Sequence, residues 1–173
     1  GLQAIKVRSE GLYTFTQSYR KLTGIPKISL RDITTKEILD RVAILLENKL
    51  KERNIALRTS DADIPVTVDP ELIEHVLINL ILNAMDALSE TRHPHIEMGS
   101  TRDSRGDVLI YVRDNGEGID EATGDKIFIP FFTTRKSGSG IGLALAKQIL
   151  QLHRADITFT SEKGKGTEFL IRF

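Results

Sequence analysis

The chain has 173 residues, a length that allows one full hydrophobic core with a helix docked beside it. Its 24 basic and 24 acidic residues cancel, so net charge favours neither nucleic acid nor a membrane surface as the partner. Zero cysteines exclude disulfides and thiolate metal sites and fit a reducing cytosol. No apolar run reaches membrane-spanning length, so we expect a cytoplasmic domain, anchored, if at all, through a segment upstream in a longer parent chain.

The first predicted element is a helix over residues 2–23, ended by Gly24-Ile25-Pro26. Its apolar residues recur at the spacing of a narrow seam that packs against a second helix. We interpret residues 1–26 as half of a helical hairpin or bundle whose partner helix lies upstream or in another subunit, with a surface helix docked on the body as the alternative. Residues 27–173 are interpreted as a separate domain. The seam consists of Ile5, Leu12, Phe15, Tyr19 and Leu22.

A short strand or linker over 28–33 leads into a second predicted helix. Thr34 followed three residues later by Glu37 is the capping-box pattern of a helix start. Two strands, 55–59 and 65–68, then flank an acidic turn. The apolar side of the helix is predicted to carry Ile38, Val42, Leu45 and Leu46.

Asp69-Pro70 predicts the start of a third helix, which continues to about Ser89 and is unusually apolar. A polar stripe runs along it at spacings of four, four and three residues. Because burying an unpartnered amide costs about 1–3 kcal/mol, two amides one turn apart on a core helix indicate a ligand or a hydrogen-bond network. The stripe consists of His75, Asn79, Asn83 and Asp86.

Paired strands are predicted over 95–101 and 108–113, and the second leads into the segment DNGEGI at 114–119. A carboxylate at the mouth of a buried strand, followed by two glycines, can hold an acceptor at the floor of a pocket. The glycines let the backbone pass close to a flat ligand, where a Cβ would clash. Taken alone, Asp-Asn-Gly is equally typical of an ordinary turn.

Gly138, Gly140 and Gly142 alternate just before a predicted helix. Inward-turned backbone N–H groups and a helix N-terminus can cradle an anion such as a phosphate chain, and Arg135 and Lys136 add positive charge. Taken alone, this loop is typical of a flexible turn, and it is neither a Walker A nor a Rossmann fingerprint.

The remaining predicted elements are a polar turn or short helix, an aromatic segment, a helix and two strands, at 120–125, 127–132, 143–153, 157–161 and 167–173. Together the elements predict an α+β fold, a two-layer α/β sandwich with one mixed sheet, helices on one face and the helical extension in front.

The three polar features fit three parts of one ligand. The amide oxygens of Asn79 and Asn83 suit Mg²⁺, which accepts few protein ligands when phosphates and waters complete its octahedron. Asp114 can accept a hydrogen bond from the exocyclic amine that adenine has and guanine lacks at that position. The glycine loop suits the phosphates. Their conjunction indicates a nucleotide site more strongly than any member does.

Four segments in order resemble the N, G1, F and G2 boxes of sensor histidine kinases, and GTEF at 166–169 resembles their closing strand motif. The resemblance covers residues 34–173 and implies the Bergerat ATP-binding fold, which is shared with gyrase, Hsp90-type and MutL-type ATPases. The Pro-Phe-Phe-Thr-Thr motif and the short lid are most similar to those of the nitrogen-regulator-type branch of the family. The four segments are NLILNA at 79–84, DNGEGI at 114–119, FIPFFTT at 128–134 and GSGIGL at 138–143.

The resemblance implies ATP and Mg²⁺ as cofactors. It makes Asn83 the metal ligand, with Asn79 assisting, and Asp114 the partner of the adenine amino group, directly and through a water near Thr167. The implied ATP-binding residues are Asn79, Asn83, Asp86, Ala87, Asp114, Gly116, Gly118, Ile119, Thr134, Arg135, Lys136, Gly138, Ser139, Gly140, Ile141, Gly142, Leu143 and Thr167.

None of the four histidines stands in the family's phosphoacceptor motif. The resemblance therefore implies a histidine kinase that passes the γ-phosphoryl group to a histidine outside this chain. A response-regulator receiver domain would take it next, and the full-length parent would be a homodimer. We expect His93 and His95 to be solvated, His153 to be structural, and His75 to be a core residue rather than a phosphate neighbour.

Three other functions compete with this hypothesis. An ATP-hydrolysing machine of the gyrase or Hsp90 kind carries a water-activating Glu where this chain has Asn79, which removes the general base. A serine-directed kinase of the same fold fits the N-terminal heptad helix poorly. A pure interaction module without nucleotide binding is disfavoured because every polar position of the motifs is intact.

Overall fold

The computed structural model describes residues 27–60, 62–135 and 138–173. The helix predicted over residues 2–23 and the site residue Lys136 lie outside the described residues. The described elements are β1 (Arg31–Thr34), α1 (Thr35–Glu52), β2 (Ala56–Thr59), β3 (Pro65–Val68), α2 (Pro70–Ala87), β4 (His95–Arg102), β5 (Val108–Asp114), α3 (Glu121–Gly124), α4 (Gly142–Leu152), β6 (Asp156–Glu162) and β7 (Gly166–Arg172).

The main sheet has five strands in the order β2-β4-β5-β7-β6. The β2–β4 pair is parallel and the other pairs are antiparallel, so the mixed sheet is confirmed. The predicted single sheet is incomplete, because β1 and β3 form a separate two-stranded antiparallel sheet. The two strands on either side of the acidic turn, β2 and β3, therefore do not pair with each other and belong to different sheets. The parallel β2–β4 pair needs a long crossover, and α2 is its main part.

Helices cover one face of the main sheet, as predicted. Alternate strand residues such as Ile96, Met98 and Ile110 are fully buried beneath them. On the opposite face Glu97 pairs with Arg58 and Arg113, and these side chains remain partly exposed. Period-two alternation between a buried apolar face and a charged face fixes the register of each strand. Within the described ranges, no helix is long and apolar enough to span a membrane.

The start of α1 agrees with the capping prediction, because the Thr34 side chain accepts a hydrogen bond from the Glu37 N–H at 3.3 Å. One prediction for its core face is wrong: Leu45 is 60% exposed. An i, i+4 row turns about 40° at each step around a helix. By the second half of α1 the buried stripe has rotated away from Leu45 and toward Leu46 and Leu50.

His153 joins the C-terminus of α4 to the N-terminus of α2. Its Nδ1 lies 2.7 Å from the Ile149 carbonyl oxygen, and its Nε2 accepts the Asp69 N–H at 3.0 Å. Because a carbonyl can only accept, Nδ1 carries the proton and the ring is neutral. Asp69 is the N-cap of α2 and accepts from the Leu72 N–H. The geometry confirms the structural role predicted for His153.

Replacing His153 with Ala is expected to lower the free energy of unfolding by about 1–3 kcal/mol, because the Asp69 N–H of a nearly buried cap loses its acceptor. Urea denaturation measures the change. His75→Ala is the matched control, since His75 is exposed on α2 and a surface change alters stability by only about 0.5 kcal/mol. Equal losses in the two variants would contradict the role of His153.

Candidate functional site

A cavity of about 550 Å³ opens between α2, the loop after β5 and the loop that leads into α4. Most of the predicted site residues meet there, although they come from distant parts of the chain. Asp86 and Gly116 are not among its lining residues. The predicted residues that line it are Asn79, Asn83, Ala87, Asp114, Gly118, Ile119, Thr134, Arg135, Gly138, Ser139, Gly140, Ile141, Gly142, Leu143 and Thr167.

Sequence reasoning missed other lining residues. Some lie inside the segments that carried the resemblance but were not predicted to be site residues. Lys163 and Phe169 come from the β6–β7 hairpin, and only the sheet pairing brings them to the cavity. The missed residues are Leu82, Ala84, Glu117, Asp120, Thr123, Ile127, Phe132, Thr133, Lys163 and Phe169.

A larger, more open groove of about 710 Å³ lies beside the two-stranded sheet. It is lined by residues of β1 and β3, the turn before β5, His153 and Phe173. No predicted site residue within the described ranges lines it. We therefore place the site in the smaller cavity, where the amides, the carboxylate and the glycine loop converge.

Asp114 forms the floor of the cavity. It is the last residue of β5, only 6% exposed, and its Oδ1 accepts the Gly116 N–H at 2.8 Å. Burial raises the pKa of the Asp114 carboxyl, and N–H donation from Gly116 and Thr167 offsets part of that rise. The result is a fixed acceptor in a water-poor position, with oxygen lone pairs left for a ligand.

The glycines of the 114–119 segment are required by the fold itself, in addition to the role expected beside a ligand. A Cβ on Gly116 would lie 2.6 Å from the Ala87 carbonyl oxygen, at the end of α2. Gly118 has a φ of +71°, and a Cβ there would overlap the Glu162 carbonyl oxygen. Both glycines are therefore required by close approach of the chain to itself, before any ligand is considered.

Backbone hydrogen bonds hold this segment on two sides. The Glu117 N–H donates to the Ala87 carbonyl at 3.1 Å, and the Gly164 N–H donates to the Glu117 carbonyl at 2.7 Å. The side chain of Asn115 accepts the His95 N–H at 2.8 Å. The floor is thus tied to α2, to the β6–β7 turn and to the start of β4, which makes it rigid.

The polar stripe of α2 is divided by the structure. Asn79 and Asn83 line the cavity. Asp86 instead binds Arg53 and Arg135 at its exposed end of the helix. His75 is exposed, so the prediction of a core position for it is wrong. It lies at the edge of the apolar face of α2, so its side chain points to solvent although the next residue along the helix is buried.

Arg135 closes the cavity against α2. Its Nη1 donates to Asn83 Oδ1 and to Asp86 Oδ2, each at 2.9 Å, and its Nη2 donates to the Asn83 carbonyl at 2.8 Å. The amide oxygen that was predicted to hold a metal is therefore in contact with the positively charged guanidinium. That oxygen faces a cation in this structure.

The glycine loop leads directly into α4, whose first residue is Gly142. Gly140 has a φ of +67°, and its carbonyl accepts the Phe131 N–H at 2.8 Å, which folds the loop back on itself. The N-cap position is held by Ile141, whose side chain cannot accept the free N–H groups of the first turn. The first residues of α4 line the cavity, so these N–H donors and the positive end of the helix dipole face it. This arrangement favours binding of an anion.

Comparisons with known proteins agree with this geometry. Residues 68–173 match the family described as histidine kinase-, DNA gyrase B- and HSP90-like ATPases. The signal transduction histidine-protein kinase AtoS of Escherichia coli (strain K12) is 41% identical over 107 residues, which are 62% of this chain and 17% of AtoS. The chain thus corresponds to a small part of that relative's length.

Two solved structures are also similar. The catalytic domain of histidine kinase ThkA has a TM-score of 0.73 and 31% identity, covering 84% of this chain and 95% of that one. Histidine kinase ThkA in complex with response regulator protein TrrA has a TM-score of 0.75 and 26% identity, covering 99% of this chain and 50% of that one. With a family match over more than half of its residues, this chain belongs to the histidine kinase-, DNA gyrase B- and HSP90-like ATPases, as a histidine kinase ATP-binding domain.

Proposed function

We propose that this chain is the catalytic part of a two-component sensor histidine kinase. It binds ATP and Mg²⁺ and transfers the γ-phosphoryl group to a histidine outside this chain, for relay to an aspartate of a response-regulator receiver domain. The observation that carries the proposal is the convergence of Asp114, the amides of Asn79 and Asn83 and the N-terminus of α4 on one cavity. The ThkA–TrrA complex supports a response regulator as the partner.

Asp114 selects the base. Its ionised carboxylate accepts a hydrogen bond from the 6-amino group of adenine, whereas guanine presents a carbonyl oxygen there and meets like partial charge. Thr167 stands opposite Asp114 in the β5–β7 ladder and lines the same end of the cavity. Gly118 and Ile119 line the wall around the base, and Gly116 shapes that wall from behind, against the end of α2.

Asn83 is the Mg²⁺ ligand, and Asn79 assists at the metal or at the phosphates. The fit rests on the present contact of Asn83 Oδ1 with the Arg135 guanidinium, which shows that this oxygen is oriented toward a positive charge. A neutral amide adds no negative charge beside a triphosphate. Mg²⁺, when bound, neutralises charge on the phosphate oxygens.

The loop before α4 holds the phosphates. Its backbone donors and the first turn of α4 attract negative charge, and the cationic side chains add to it. Arg135 must exchange its contacts on Asn83 for the nucleotide. Asp86 and Ala87 flank the ligand at the end of α2. The remaining proposed contacts are Thr134, Lys136, Gly138, Ser139, Gly140, Ile141, Gly142 and Leu143.

The division of labour follows from these roles. Residues 27–173 present ATP, and residues 1–26 belong to the dimerisation and phosphotransfer part of the parent. The parent is a cytoplasmic or membrane-anchored homodimer with this domain in the cytosol. Phosphoryl transfer asks the protein mainly for positioning and charge neutralisation, which a rigid floor and a cationic loop provide.

The proposal is tested by incubating the chain with γ-labelled ATP and Mg²⁺. We expect micromolar ATP binding by calorimetry, no acid-labile label on the four histidines, and no multiple-turnover release of phosphate. Asn79 stands where a hydrolytic relative needs a carboxylate base, and an amide cannot take a proton from water. Sustained hydrolysis would favour the ATPase alternative, and labelled histidine would place the acceptor within this chain.

The raised pKa of Asp114 gives a pH dependence with a definite sign. The folded chain holds the Asp114 proton more tightly than the unfolded chain between the ordinary pKa and the raised one. The free energy of unfolding of the ligand-free protein therefore falls as pH rises through that window, and above it this group adds no further change. ATP affinity has the opposite trend, because the protonated carboxyl loses its charge as pH falls.

Urea denaturation and calorimetry at a series of pH values measure both trends, with Asp114→Asn as the control that cannot titrate. The difference in free energy of unfolding between wild type and this variant should depend on pH in the stated direction. A difference that is constant across the acidic range would contradict a buried, titrating carboxylate.

A further inference from the structure

The hydroxyl group of Ser161 lies at the meeting point of three hydrogen bonds behind the base end of the cavity. Its Oγ accepts the Ile119 N–H at 2.8 Å, donates to the Gly166 carbonyl oxygen at 3.0 Å, and lies 2.8 Å from Thr167 Oγ1. Ser161 and Thr167 face each other in the β6–β7 ladder. Ser161 itself is not a lining residue of the cavity, whereas Thr167 is.

The direction of the third bond follows from counting protons. A serine hydroxyl has one proton and two acceptor lone pairs. The Gly166 carbonyl can only accept, so the proton of Ser161 is used there. The Ile119 N–H fills one lone pair of Ser161, and the other accepts the proton of Thr167. In the arrangement that satisfies all three bonds, Thr167 is the donor to Ser161.

The cavity therefore meets Thr167 as an acceptor. With its proton turned toward Ser161, Thr167 Oγ1 has only lone pairs left for a ligand. Thr167 is 5% exposed and lies opposite Asp114, whose carboxylate can also only accept. Two neighbouring acceptors complement an amino group that carries two protons. They oppose a carbonyl oxygen at the same place.

We infer that Ser161 is a positioning residue for base selection, which holds the Thr167 hydroxyl in the acceptor orientation beside Asp114. The inference rests on the proposed nucleotide site. It assigns part of the selection for 6-amino over 6-oxo purines to a residue that does not touch the base. Without Ser161, the Thr167 hydroxyl can rotate and donate into the cavity, where a 6-oxo group would accept.

The test measures dissociation constants for ATP and for inosine triphosphate, whose base carries a 6-oxo group, by calorimetry on the whole chain. In Ser161→Ala, the preference for ATP is expected to fall roughly fivefold, the factor that one ordinary hydrogen bond is worth. Ser161→Thr keeps a hydroxyl group at this position and is expected to keep the preference for ATP. Ser161→Cys keeps the side-chain shape but donates and accepts weakly, so its preference also falls, and it serves if the alanine variant does not fold.

Thr167→Val separates positioning from a structural role. In that background Ser161→Ala should leave the preference unchanged, since the hydroxyl that it orients is absent. A loss that comes only from the freed Ile119 N–H would weaken both nucleotides equally in either background, and that result would overturn the inference. An unchanged preference in both Ser161→Ala and Ser161→Cys would also overturn it. A wild-type chain without preference for ATP would instead refute the proposed base site.

Discussion

Replacing Asp114 with Asn is expected to weaken ATP binding by roughly 10- to 100-fold, the factor that corresponds to a hydrogen bond made by a charged group. The carboxylate is held on the cavity floor by the Gly116 N–H at 2.8 Å, so the variant keeps the shape of the site and loses the charge. Asparagine also offers an NH₂ group, which repels the 6-amino group of adenine when it turns toward the ligand.

Calorimetry with ATP and GTP measures the effect, and GTP binding is expected to stay the same or strengthen, because the variant removes the carboxylate that opposes the 6-oxo group of guanine. Asp32→Asn is the matched control: it makes the same chemical change on β1, in the separate two-stranded sheet, where Asp32 contacts Thr67. ATP affinity that stays the same in Asp114→Asn would remove Asp114 from base recognition.

Replacing Asn83 with Ala is the second large effect that we expect. Adding Mg²⁺ should strengthen ATP binding to the wild type, and the variant should lose roughly 10- to 100-fold of that gain, since groups around a bound metal contribute about this much to its affinity. Calorimetry in Mg²⁺ and in a chelator gives the two affinities. The reason is the orientation of the Asn83 amide oxygen, which accepts a hydrogen bond from the positively charged Arg135 guanidinium at 2.9 Å.

The variant also removes a partner of Arg135, so a control must loosen the same contact without touching the metal ligand. Asp86→Asn does this, because Asp86 Oδ2 accepts from the same Arg135 nitrogen. We expect it to keep the full response to Mg²⁺. If Asn83→Ala responds to Mg²⁺ as the wild type does, Asn83 is not the metal ligand.

Local chemistry explains which parts of the fold were predictable from the sequence. Thr34 with Glu37, and Asp69-Pro70, mark helix starts because a cap is formed by residues three or four apart. The β4–β5 hairpin is likewise a short-range feature. The pairing of β1 with β3, and of β2 with β4, joins segments far apart in the chain, and no local pattern encodes it.

The candidate site shows the same division. The resemblance to known boxes selected the lining residues of α2 and of the loop before α4. It did not reveal why Gly116 and Gly118 are glycines, since the atoms that they approach, the carbonyl oxygens of Ala87 and Glu162, belong to distant elements. Ser161 escaped notice for a related reason. An isolated serine in a strand has no signal until the β6–β7 register sets it opposite Thr167.

The contacts of Arg135 have a thermodynamic consequence for every affinity measured on this chain. Under the proposed metal role, ATP and Mg²⁺ do not enter a vacant site. They complete an exchange reaction in which the two hydrogen bonds that Arg135 donates to Asn83 are given up. The measured binding free energy is the difference between the two sets of contacts. An intrinsically tight site can therefore show modest affinity, and nucleotide can leave readily once the arginine returns to α2.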